Sequence, residues 1–213
     1  MAQPIPIPAP APSGTKLENP LPIIGTQYCT PYPVDLSVVK KVMTISDGNF
    51  VVTDINGTVI FKVKGKLMSL HDQRILLDAA ENPIVTLREK IMSAHDRWYV
   101  YRGESKEPND LLFTVKRSSM IQFKAKLHVF LANNTKEEVC DFKVEGSWSE
   151  RSCVVYAGDS PNIVARMYKK TTAQSVLFGK DNFSVTVYPN VDYAFIIALI
   201  VILDDINKES GAE

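Results

Sequence analysis

The sequence predicts an all-β protein with one buried helix: a closed antiparallel β-barrel whose inner face packs around a hydrophobic C-terminal helix. Three observations carry that prediction. Tyr193 to Leu203 reads YAFIIALIVIL, a stretch without charge, Gly or Pro. The chain before it is written in short segments that alternate apolar and polar residues between turn formers, the period-two pattern of half-buried strands. A motif also repeats, KLMSLHD (Lys66 to Asp72) returning as KIMSAHD (Lys90 to Asp96) 24 residues later, an interval that fits one hairpin of a meander.

The apolar stretch is too short to cross a bilayer. Its length is about 16 Å at 1.5 Å per residue, whereas a spanning helix needs about 20 apolar residues to cover a core of about 30 Å. A helix apolar on every side must instead be enclosed by its own domain. Asp192 is placed to cap its N-terminus, and Asp204 and Asp205 follow it, opposing the helix dipole at small cost.

The chain in order supports the same plan. Nine of the 13 prolines fall before Val34, and the alternation from Pro4 to Pro12 favours polyproline II. Residues 1–21 are therefore expected to be a disordered lead-in, 22–208 the single domain and 209–213 a short tail. Phe50 to Ile55 and Thr58 to Lys64 flank Asn56-Gly57, a strong hairpin signal. Extending the 24-residue offset pairs Asp54 with Asp78, Ile60 with Ile84 and Val63 with Leu87.

Later segments alternate as clearly. Trp98 and Val100 oppose Tyr99 and Tyr101; Phe113 and Val115 oppose Thr114 and Lys116. From Ile121 to Leu131, Leu127 and Val129 share one face while Lys124, Lys126, His128 and Phe130 share the other. Cys140, Phe142 and Val144 face away from Lys143 and Glu145. Val154 to Ala157 with Ile163 to Tyr168 form another hairpin, and Ser184 to Tyr188 feeds the helix. Roughly a dozen half-apolar strands and one wholly apolar helix are satisfied together if the sheet closes around the helix. A two-sheet sandwich is the alternative, and it leaves the helix unenclosed.

Chemistry-bearing residues are sparse. The pairs His71-Asp72 and His95-Asp96 sit at equivalent turns of the repeat, where Asp serves the turn. With His128 they are the only histidines, and no metal-ligand spacing occurs. Gly65-Lys66 and Gly179-Lys180 lack the rest of a phosphate loop, and no nucleophile elbow is present. A non-enzymatic protein without metal or cofactor is expected. Three widely spaced cysteines, with no secretory leader, indicate reduced thiols in the cytoplasm or nucleus, so the sequons at Asn56, Asn133 and Asn182 are expected to be silent. Twenty-four basic residues balance 24 acidic ones, which gives no pull toward nucleic acid. What remains is a set of exposed cations, Arg88, Lys90, Lys116, Arg117, Lys124 and Lys126, as a strip for phosphate or anionic lipid. Its competing reading is an ordinary solvated face. Trp98, Tyr99 and Tyr101 beside Arg97 and Arg102 read as strand packing rather than as a base-stacking platform.

Three segments carry a resemblance: FVVTDINGTVIFKVKG (Phe50 to Gly65), HDRWYVYRGE (His95 to Glu104) and VTVYPNVDYAFIIALIVILDDI (Val185 to Ile206). Over about Pro22 to Ile206 the chain resembles the plant LURP-one-related family. The resemblance implies the tubby C-terminal-like fold, twelve antiparallel strands around a central hydrophobic helix, shared with the phospholipid scramblases. It implies no catalytic residue. By kinship with tubby proteins it implies a phosphoinositide-binding regulator held peripherally at the plasma membrane or in the nucleus, with anionic phospholipid head groups as partners and a link to plant defence. The alternative is a protein-interaction or structural barrel with unknown protein partners and no lipid role.

Overall fold

Alternating burial identifies the strands one after another. In a computed structural model, which describes residues 14–40, 50–65, 73–90, 97–118, 125–169 and 183–209, β1 (Val34–Lys40) buries Leu36 and Val38 and β2 (Phe50–Thr53) buries Phe50 and Val52. The pattern continues through β3 (Val59–Gly65), β4 (Gln73–Asp78), β5 (Pro83–Lys90), β6 (Arg97–Arg102), β7 (Leu111–Arg117) and β8 (Ala125–Leu131). β9 (Phe142–Gly146), β10 (Val154–Ala157), β11 (Ile163–Lys169) and β12 (Phe183–Val187) complete the set. Each strand pairs antiparallel with the next, and β12 pairs with β1, so the sheet closes as the sequence predicts and leaves no edge.

The helix α1 (Tyr193–Glu209) fills the barrel. From Ala194 to Leu203 no residue is more than 4% exposed. Phe195 packs its ring between Phe113 at 5.0 Å and Phe142 at 4.8 Å. Each large apolar side chain so enclosed contributes about 1.5–3 kcal/mol relative to exposure. No described helix is long and apolar enough to cross a membrane. The strands are also the inverse of a membrane barrel, with apolar residues inside and cations such as Lys62, Lys64 and Lys126 outside.

Both ends of the helix hold surprises for local reasoning. Asp192, fully buried, caps the first turn by accepting the Phe195 N–H at 3.0 Å, as expected. Its other oxygen accepts three further N–H groups, from Ile23, Ile24 and Gly25, at 3.0, 2.7 and 3.0 Å. One carboxylate thus ties the N-terminal segment to the start of the helix. The same segment is bound to the barrel from Thr15 onward, through Thr15 N–H to Ile163 O (3.0 Å), Asn190 Nδ2 to Leu17 O (2.7 Å) and Leu21 N–H to Asn190 O (2.9 Å). At the far end Asp204 and Asp205 do not follow the helix but lie inside it, buried. Arg74, from β4, donates to Asp205 through Nε at 3.0 Å and Nη2 at 2.9 Å.

The 24-residue repeat is a repeated turn. Asp54 Oδ1 accepts the N–H groups of Asn56 and Thr58 at 2.8 Å, and Asp78 Oδ1 accepts that of Asn82 at 2.8 Å. Gly57 and Glu81, also 24 apart, both take positive φ, +85° and +70°. A register shift accompanies each turn, at Val52/Thr53 and Leu76/Leu77. The link at Asn56-Gly57 is therefore the longer loop Asp54–Thr58 rather than a two-residue turn, because the Asp54 carboxylate organises the chain from outside the Asn-Gly pair. Cys140 stands just ahead of β9, half-buried, and not on the inward strand face expected of it. The motifs at 66–72 and 91–96, with both His-Asp pairs, and Gly179-Lys180 lie outside the described residues.

Replacing Asp192 by Ala leaves four N–H groups without their acceptor. At about 1–3 kcal/mol for each buried unsatisfied group, partly relieved by water, the variant should lose several kcal/mol, on the order of 10 °C in Tm. Thermal unfolding of Asp192→Ala beside the parent checks this, and a change within 1–2 °C would mean the clamp holds nothing.

Candidate functional site

Register turns scattered cations into a row. On the outer face Lys90 of β5 stands opposite Arg97 of β6, Arg97 opposite Lys116 of β7, Lys116 opposite His128 of β8, and His128 opposite Lys143 of β9. Strands lie about 4.8 Å apart, so the row runs about 19 Å around the barrel. The neighbouring rung is Arg88, Tyr99, Thr114 and Phe130. Tyr99 and Tyr101 stack with centroids 6.4 Å apart, and the Arg97 guanidinium sits 5.9 Å from the Tyr99 ring. Phe130 points outward by alternation yet is only 5% exposed, with Lys116 Nζ 5.1 Å from its ring centroid. The Nε of Arg88 is buried and has no hydrogen-bond partner among the described residues.

Like charges directly opposite one another destabilise a sheet, so the row needs counter-charge. Three carboxylates supply it. Glu137, in the loop between β8 and β9, accepts both Nη1 and Nη2 of Arg97, at 2.9 and 3.0 Å, and also bonds Lys116 Nζ and, at 3.5 Å, the Thr114 hydroxyl. Asp159 takes Lys143 at 3.2 Å, and Glu145 lies 3.6 Å from both Lys126 and Lys143. Among the described residues, the outward cations Arg88, Lys90, Arg97, Lys116, Lys126 and Lys143 thus stand with these three carboxylates. Burial holds the His128 imidazole below its usual pKa, and the ammonium groups of Lys126 and Lys143 push it the same way.

Of the six cations singled out by sequence, four share this face: Arg88, Lys90, Lys116 and Lys126. Arg117 does not; it has the parity of the buried Val115 and leaves β7 on the opposite side. Lys124 lies outside the described residues. Sequence reasoning left Arg97 and Lys143 out of the strip, since opposition across strands is a property of register and no single segment displays it. Glu137 gave no signal at all. Trp98 is fully buried inside the barrel and is closed to any base.

Other chemistry is weakly provided for. Among the described residues no group of His, Cys, Asp and Glu could hold a metal ion. Burial raises the Cys29 thiol to about 11 and the Cys153 thiol to about 12, which keeps both protonated and poorly nucleophilic. A polar depression lined by Gln27, Tyr28, Asp78, Asn82 and Arg102 opens beside the Asp78 turn, and Arg102 closes one side of it by donating to Ile24 O at 3.0 Å.

Comparison with known proteins agrees with this architecture. The family model described as LURP-one-related matches residues 34–204, from the first residue of β1 into α1. Protein LURP-one-related 15 of Arabidopsis thaliana is 62% identical, over 89% of this chain and 88% of its own. Protein LURP-one-related 10 of the same plant is also 62% identical, over 90% of this chain and 99% of its own. An X-ray structure of an Arabidopsis thaliana protein superposes with a TM-score of 0.70 at 54% identity, covering 87% of this chain and 98% of that one. A family match that spans the barrel and most of its central helix, with relatives this similar along nearly their full lengths, makes the chain a member of the plant LURP-one-related family.

Proposed function

We propose that this protein is a non-enzymatic reader of anionic membrane surfaces, docking phospholipid head groups on the outer face of β5 to β9, in the defence-related setting its family resemblance implies. The observation that supports this reading is the cross-strand row Lys90–Arg97–Lys116–His128–Lys143, beside the stacked Tyr99 and Tyr101. A cationic row attracts a negatively charged lipid surface, and tyrosines are suited to the boundary between head groups and water. The barrel presents this face on rigid strands, so binding needs no refolding.

The reading is tested with purified protein and phosphoinositide-containing liposomes. Each Lys near such a surface contributes about 1 kcal/mol, roughly a fivefold change in partition, at low salt. Lys90 and Lys126 are both exposed and stand apart from the Glu137 contacts, so Lys90→Gln with Lys126→Gln should spare Tm, without setting like charges opposite Glu145, while cutting sedimentation at least tenfold. Added salt should weaken the parent in the same direction, as the Debye length falls below about 8 Å. Absence of parent binding at low salt would refute the membrane reading in favour of a protein-interaction barrel.

The row is also pH-sensitive in a stated direction. A histidine with a lowered pKa is neutral at pH 7.5 and gains its charge only on the acid side of its usual value near 6.5. Stepwise acidification below that value therefore adds a cation to the row and should strengthen sedimentation with phosphatidylserine vesicles. His128→Gln should lose that increment while binding like the parent at pH 7.5. Equal acid enhancement in both proteins would remove His128 from the site.

A further inference from the structure

We infer that Arg97, Lys116 and Thr114 form a phosphate-binding cradle on the outer face, and that Glu137 occupies it as an intramolecular stand-in for a phosphomonoester. The inference rests on the reading of this face as anion-binding and narrows it to one cradle and one ligand chemistry. A planar guanidinium fork, an ammonium and a hydroxyl converge on one carboxylate. This is the donor set that bidentate phosphate recognition uses, since two phosphate oxygens present the same spacing to the fork as two carboxylate oxygens.

Charge and backbone both mark Glu137 as a substitute occupant. Arg97 and Lys116 stand directly opposite each other, with Lys90 and His128 on either side. One carboxylate neutralises one of these two cations, whereas a phosphomonoester carries about −1.5 to −2 at pH 7 and matches both. Glu137 comes from a loop and not from a strand, and it reaches the cradle with φ at +52°, a conformation that disfavours a residue bearing Cβ. Asn134 holds the loop in that shape, accepting the Glu137 N–H at 3.2 Å while donating to Val139 O and Asp141 Oδ2 at 2.8 Å.

A second cluster provides the contrast. Glu81 also has positive φ and also bonds two lysines, Lys62 at 2.9 Å and Lys64 at 2.7 Å. Its side chain is 51% exposed, however, so water screens the charges and the pair is an ordinary surface cluster. At Glu137 the three side chains are 21–29% exposed, and there the electrostatic match matters more.

The test uses the intact protein, soluble inositol 1,4,5-trisphosphate and inorganic phosphate as probes, and vesicles with and without phosphoinositide. If Glu137 fills the cradle nine-tenths of the time, Glu137→Gln raises apparent affinity for the soluble trisphosphate about tenfold by removing the competitor. Glu145→Gln removes the same charge from the same face and should give little of that gain. Lys116→Gln added to Glu137→Gln should abolish it. Should Glu137→Gln prove less stable, millimolar phosphate should restore its Tm more than it moves the parent's. An equal gain from Glu145→Gln, or a gain that survives Lys116→Gln, overturns the cradle. Soluble trisphosphate bound by Glu137→Gln without any vesicle binding upholds the cradle and assigns it a free phosphorylated ligand. Vesicle binding that is lost on neutralising Lys90 and Lys126, yet unchanged by Glu137→Gln, upholds the membrane reading and overturns the cradle.

Discussion

A helix without a solvent face and a barrel without a filling are each unstable alone, and here each supplies what the other lacks. Ala194 to Leu203 is buried on all sides, and every strand from β1 to β12 turns apolar residues toward it. Strands of four to eight residues make few ladder bonds each, so the shared core and the closure of the sheet have to hold them. Asp192 and Arg74 then fix the helix lengthwise, one at its entrance through four accepted N–H groups and one near its exit through Asp205. These polar anchors define where the helix sits, while the apolar contacts supply most of the free energy.

This division leaves the outside of the barrel free to vary. Inward positions are constrained by volume and by the lack of water, whereas outward positions on the same strands need only tolerate solvent. Antiparallel register then sets outward residues of neighbouring strands side by side, so a charged row can be written with one residue per strand. The row from Lys90 to Lys143 is of this kind. Because its strands carry Trp98, Val115 and Val144 of the core on the rungs immediately beside it, its geometry is inherited from the packing beneath. The β8–β9 loop folds the Glu137 carboxylate back onto it, where it bonds Arg97 and Lys116.

Much of this was legible in the sequence, for reasons that differ by element. Strands were readable because burial on one face forces a period of two. The helix was readable because nothing polar interrupts it from Tyr193 to Leu203, although its true end lies beyond Asp204 and Asp205. Those aspartates end the apolar pattern without ending the helix, since Arg74 of β4 offsets the charge of Asp205 from 131 residues away. The repeat was visible as sequence, but its meaning lay in the Asp54 and Asp78 turns. At the candidate site, individual cations could be listed, but the membership of Arg97 and Lys143 and the exclusion of Arg117 depended on strand pairing and parity. Glu137 belongs to a loop without periodicity, and only its three-dimensional contacts give it a role.

Native-state hydrogen exchange measures the mutual dependence of helix and barrel most directly. The amides of Ala194 to Leu203 and those of core strand residues such as Val115 and Val144 should open with one common free energy, equal to that of global unfolding, and with one common denaturant dependence. Helix amides that exchange through a separate opening, at lower free energy and with little denaturant dependence while the strands stay protected, would contradict the account.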